Sequence, residues 1–178
     1  IGHAHYDHAI DAGFAANATG AKLYGNRTTC LIAESQGLAS DRCFEVQQGG
    51  RFEIGNVQIQ VVRSIHWWPE GIGKYDVWTE AHEPEEASMA PNGGLLSFDL
   101  SFPSQSDPIS IFYQQSLDGL DGLDGSGENY RGNLESIFPK EGGTSIWMAC
   151  GNCTSSSPLL DEYLSYIQPK YVIPMHWD

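Results

Sequence analysis

Three histidines and an aspartate fall within six residues near the start of the chain, in the run His3-Ala4-His5-Tyr6-Asp7-His8. Imidazole nitrogens and carboxylate oxygens are donors for divalent metal ions, and nothing structural requires so many of them so close together. In an extended segment, residues two apart project to the same side, so His3 and His5 are expected to share one ion. Asp7 and His8, at the turn into the next element, are then placed to face a second. Two more histidines end apolar runs, His66 after Val61-Val62-Arg63-Ser64-Ile65 and His176 after Tyr171-Val172-Ile173-Pro174-Met175. Alone, either would read as a core histidine; beside the first run they read as further ligands. His82 has no motif around it and reads as a solvated loop residue.

The pattern H-x-H-x-D-H followed by two distant single histidines resembles the signature of metallo-β-lactamase-fold hydrolases. The wording His66-Trp67 and Pro174-Met175-His176-Trp177 is similar to the branch that holds ascorbate-phosphate lactonases and the phospholipase D that releases N-acylethanolamines. The resemblance implies an α/β fold of the αβ/βα sandwich type. It also implies a first metal site of His3, His5 and His66 and a second of Asp7, His8 and His176. Two zinc ions are expected, although manganese and iron accept the same donors. The implied activity is metal-dependent hydrolysis, in which a metal-bound hydroxide oriented by Asp7 attacks a small or amphipathic ester, lactone, amide or phosphodiester. Tyr6 or a pocket tyrosine is a candidate to protonate the leaving group.

One position departs from the family pattern. Where most members place a bridging aspartate after a strand, this chain reads Ile111-Phe112-Tyr113-Gln114-Gln115-Ser116. Either Ser116 has replaced the carboxylate, or Asp118 reaches back from two residues on. A serine there also resembles one subclass of true β-lactamases, so β-lactam hydrolysis is an alternative. A metal-binding scaffold without turnover is another.

Composition narrows the partners. The 178 residues carry 9 Lys+Arg against 23 Asp+Glu, a formal charge of −14. Such a surface repels phosphate backbones, which argues against nucleic acid as substrate, and there is no apolar run long enough to span a bilayer. A small-molecule substrate remains; the oligomeric state is not indicated. Cys30 with Cys43, and Cys150 with Cys153, could form disulfides in an oxidising compartment, with plain thiols or a structural zinc as the alternatives. Acidity and cysteine pairs lean toward a periplasmic or secreted protein, otherwise a cytoplasmic one. Residues 1–178 read as a single metallo-β-lactamase-like domain, incomplete at both ends because the resembled fold places several strands before the metal run.

The elements that must position the ligands follow from pattern. Alanine-rich Ala9 to Ala16 predicts a helix starting at the metal loop. Ala21 to Gly25 predicts a short strand, and Asn26 caps a helix to about Glu34. Arg51 to Arg63 predicts a hairpin turning at Gly55-Asn56, whose second arm delivers His66. Strands are expected at Leu95 to Phe102, Ile109 to Gln114 and Ser145 to Ala149, then a helix from Pro158 to Ile167 and a last strand ending at His176. The long stretch from Trp67 to Gly94 leaves directly from a predicted ligand. Trp67, Trp68, Tyr75 and Trp78 are its candidate pocket walls. Asp118 to Gly125 reads as an acidic loop.

Overall fold

The computed structural model describes residues 1–66, 79–80, 94–103, 106, 108–117, 120, 130–138, 143–150 and 157–176. The chain divides into two compact units, Ile1–Gln47 with Trp68–Leu96, and Gln48–Trp67 with Ser97–Asp178.

The first unit holds α1 (Tyr6–Ala9), α2 (Ala12–Thr19), β1 (Leu23–Gly25), α3 (Arg27–Ser35), a 3-10 turn (Ser40–Arg42) and β2 (Cys43–Glu45). The predicted Ala9 to Ala16 helix is therefore two helices broken at Ile10-Asp11. The cause is tertiary. Gln36, at the end of α3, donates from its Nε2 to the Ile10 carbonyl and accepts from the Gly13 amide at 2.8 Å, so one side-chain amide satisfies both sides of the break. Gly13 permits this approach, since a Cβ there would lie 2.7 Å from the Ala33 carbonyl. Helix α2 stops at Gly20, whose φ of 74° is the left-handed conformation glycine tolerates. Asn26 caps α3 as predicted, its side chain accepting from the Thr29 amide at 2.8 Å, and it also donates to the Gly94 carbonyl at 2.7 Å. Strands β1 and β2 pair in parallel, Leu23 opposite Cys43. A disulfide joins Cys30 of α3 to Cys43 of β2. Ala16, Leu23, Ala33 and Leu38 form one small core, and Ala4, Ala9 and Ile32 another.

The second unit is a six-stranded sheet in the order β3 (Arg51–Ile54), β4 (Val57–Arg63), β5 (Leu96–Phe102), β6 (Ile109–Gln114), β7 (Ile146–Cys150), β8 (Tyr171–Met175). The predicted hairpin is there, with Ile54 opposite Val57 and Gly55 at a φ of 62°. Strands β5 and β6 are antiparallel, while β6, β7 and β8 run parallel. Parallel neighbours need a crossover, and α5 (Ser157–Ile167) lies in the one between β7 and β8. Helix α4 (Tyr130–Ile137) precedes β7. One face of the sheet meets these helices in a core of Phe112, Leu134, Trp147, Tyr163 and Ile167. The Trp147 and Tyr163 rings stack at 5.8 Å. Pro174, which has no amide to donate, sits on the edge strand β8, where proline is tolerated. Cys150 is disulfide-bonded; its expected partner, Cys153, lies outside the described residues.

Candidate metal centre

In the first unit, the metal run changes conformation midway. Residues 1–5 are irregular and α1 begins at Tyr6. The His5 carbonyl accepts from the amides of both His8 and Ala9, at 3.0 and 2.9 Å, which fixes the turn. His3 consequently has its ring centroid 4.7 Å from that of His5 and 4.1 Å from that of His8. Asp7 Oδ2 lies 3.3 Å from His8 Nε2. Donor atoms of His3 and His5 lie within 4.8 Å of one another, as do those of Asp7 and His8, and the helical turn folds His8 back over His3. His3 is 1% exposed, and the side chains of His8 and Asp7 are 8% and 29% exposed. Ala4 and Ala9, packed with Ile32, hold the backbone on both sides of the turn.

The donor chemistry fits a divalent ion. Three imidazoles and a carboxylate are gathered in one cluster, and Cys30, Cys43 and Cys150 are taken up in disulfides. Nitrogen and oxygen donors without thiolate suit zinc, manganese or iron.

In the second unit, His66 follows the end of β4 by three residues and His176 follows β8 directly. His176 has a φ of 61°, left-handed and uncommon outside glycine, so the chain turns sharply where β8 ends. The parallel alignment of β6, β7 and β8 puts Ser116 and His176 at the same end of the sheet. Hydrogen bonds add the end of β4: Ser116 Oγ donates to the Ile65 carbonyl at 2.9 Å, and Ser64 Oγ donates to the Ser116 carbonyl at 3.4 Å. His66, Ser116 and His176 therefore share the carboxyl end of one sheet.

This assigns Ser116 a task that sequence did not suggest. Buried to 2% exposure, it spends its hydroxyl proton on the carbonyl beside His66. A chain of buried polar groups lies below. Trp147 Nε1 donates to Gln114 Oε1 at 3.2 Å, and Gln114 Nε2 donates to the Tyr130 hydroxyl at 3.3 Å. Tyr130 bonds in turn with the side chain of Ser64. Burial pushes its pKa far up, an effect these hydrogen bonds partly offset, so it stays protonated as a donor. Ser116→Ala is expected to cost about 1–2 kcal/mol, since it leaves a buried carbonyl without a donor. Ser116→Asp, which places there the carboxylate of the resembled pattern, is expected to cost more by burying a charge beside that carbonyl. Denaturant midpoints check both, and an Asp variant as stable as the wild type would show the position to be open to a ligand.

Trp67, Trp68, Tyr75, Trp78, His82, Asp118 and the acidic loop lie outside the described residues, as does the side chain of Tyr6. No helix among the described residues is long and apolar enough to cross a membrane.

No protein-family model and no curated protein matches the chain. Solved structures do. The metallo-beta-lactamase fold protein YhfI from Bacillus subtilis aligns with a TM-score of 0.56 at 13% identity, over 98% of this chain and 61% of its own. The Rm3 metallo-beta-lactamase (14% identity, 83% of this chain and 54% of its own) and a beta-lactamase from Chitinophaga pinensis (17%, 83% and 54%) align less well, at TM-scores of 0.46 and 0.42. The chain has a metallo-β-lactamase-type α/β fold. It spans about three fifths of the length of the Bacillus protein.

Proposed function

We propose that the chain is the metal-binding part of a hydrolase, with His3, His5 and His66 holding one divalent ion and Asp7, His8 and His176 a second. The observation that carries this reading is the packing of His3 against both His5 and His8, with Asp7 beside His8. Zinc in two copies is the favoured cofactor. Ions in such a set supply Lewis acidity and bring the pKa of water toward about 7, so no serine or cysteine nucleophile is needed. The chain's own residues do the rest. Asp7, partly exposed beside the buried imidazoles, accepts the proton-bearing side of the attacking water and orients it. The burial of His3 keeps bulk water from its ring.

The substrate class is a small or amphipathic ester, lactone, amide or phosphodiester. The wording around His66 and His176 favours a lactonase-like branch, and the charge of −14 disfavours polymeric phosphates. The Cys30–Cys43 disulfide supports a periplasmic or extracellular setting. Elemental analysis of protein purified without added metal is expected to find two zinc ions per chain, and their removal by chelation to abolish hydrolysis across a panel of these four bond types. Metal without turnover on any of them would replace the enzyme with a metal-binding scaffold. Absence of metal would end the reading.

A further inference from the structure

We propose that the β3–β4–β5 part of the sheet carries a second binding site, a cavity of about 420 Å³ for a small organic ammonium compound, with Asp99 as its charged anchor. Register creates the cavity. Arg51 stands opposite Gln60 and Glu53 opposite Gln58, which puts these four on one face, and Asp99 and Ser101 present a matching pair from β5. All six line the cavity. Asp99 is also the direct partner of Phe112 on β6, a side chain wholly inside the core. The carboxyl group thus sits at the seam between the helix-covered sheet and the open cavity.

Asp99 Oδ1 is buried and accepts no hydrogen bond. Arg51 lines the same cavity, yet among the described residues no ion pair joins the two. Burial raises the Asp99 pKa from 3.8 to about 6. A buried carboxylate oxygen without a donor is disfavoured in the folded chain. The charges of the lining indicate the ligand. Glu53 and Asp99 are two carboxylates against the one guanidinium of Arg51, and Gln58 Nε2 donates to Glu53 Oε1 at 3.3 Å, so the lining favours a ligand that brings positive charge and N–H donors. Arg51 at the β3 side would receive an anionic end. Only two carboxylates are present, few for a hard divalent ion, which wants six or more oxygens. The volume falls in the range of pockets for small molecules. Gln60 and Gln58 precede His66 by six and eight residues, on the order of 20 Å along an extended chain, so this site is separate from the histidines.

The test is isothermal titration calorimetry with 4-aminobutyrate and 1,4-diaminobutane, and with butyrate as the analogue lacking the ammonium. Both amines are expected to bind at pH 7.5 and butyrate not to. At pH 5 Asp99 is mostly protonated, and binding is expected to weaken about tenfold. The charged groups facing Asp99 among the described residues are Arg51 and Glu53; β4 presents neutral Gln58 and Gln60, and β6 presents Phe112. Asp99→Asn is expected to weaken amine binding at least tenfold. It should fold well: with the folded pKa above the unfolded one, the native state holds the extra proton between pH 4 and 6, and stability falls as pH rises through that window. The wild type should therefore lose melting temperature from pH 4 to pH 7 relative to Asp99→Asn. Equal amine binding by the variant, equal binding of butyrate, or no amine binding at millimolar concentration would overturn the proposal.

Discussion

Asp7→Asn is expected, on the proposed hydrolase function, to lower hydrolysis by about 10²- to 10⁴-fold, the range for loss of a positioned acid–base group, with little change in melting temperature. The two halves of this result have separate causes. Asparagine keeps the shape of the side chain and one carbonyl oxygen, so the contact 3.3 Å from His8 Nε2 can persist. Asp7 is the most exposed of the four donors in the run, and substitutions at such positions shift stability by only about 0.5 kcal/mol. What asparagine removes is the negative charge and the second acceptor oxygen, which is what a water-orienting carboxylate needs. His3→Ala offers the contrast. His3 is 1% exposed, so its removal opens space in the interior and is expected to lower stability and activity together. Steady-state rates and melting curves on the two variants separate a catalytic from a structural role. An Asp7→Asn enzyme with wild-type turnover would remove Asp7 from the mechanism.

The metal run was legible because its residue types are chemically expensive to gather and carry their meaning without tertiary context. Strand periodicity was legible for a similar reason. Ile109–Gln114 and Tyr171–Met175 are largely apolar; the structure gives the predicted bounds of the first and ends the last strand at Met175, one residue short of the predicted His176. What escaped depended on partners distant in the chain. The break between α1 and α2 is set by Gln36, more than twenty residues away. Strand β2 is only three residues, and it is held by β1 and the Cys30 disulfide rather than by any pattern of its own. Helix α4, with Gly132 and Asn133 in its middle, has weak intrinsic preference; burial of Tyr130 and Leu134 against the sheet supplies what propensity does not. Ser116 stands where the resembled pattern carries an aspartate, whereas its hydrogen bond to Ile65 depends on β4 and β6 ending at the same end of the sheet on either side of β5. Asp99 lies inside the predicted strand Leu95 to Phe102, and only the pairing with β6 puts Phe112 opposite it.

Trp147→Phe and Gln114→Leu are each expected to destabilise the second unit by about 2–4 kcal/mol, yet the double variant should cost clearly less than their sum. Trp147 and Gln114 are both wholly buried, and the indole N–H is bonded to the amide oxygen at 3.2 Å. Phenylalanine in place of Trp147 loses part of the ring that stacks on Tyr163 and leaves Gln114 Oε1 without its donor. Leucine in place of Gln114 leaves the indole N–H without an acceptor, and takes one partner from Tyr130 while Ser64 remains. Each single change therefore adds the penalty of a buried unsatisfied group, about 1–3 kcal/mol, to any loss of packing. Making both changes removes donor and acceptor at once, so those penalties disappear and the packing term remains. A double-mutant cycle from denaturant midpoints should give a coupling energy of about 1–3 kcal/mol. Additivity within about 0.5 kcal/mol would mean that the indole and the amide are satisfied elsewhere. The same polar chain continues through Tyr130 and Ser64 toward the carboxyl end of β4, where His66 stands. A strong coupling would therefore tie the order of that strand end to a tryptophan in the middle of the core.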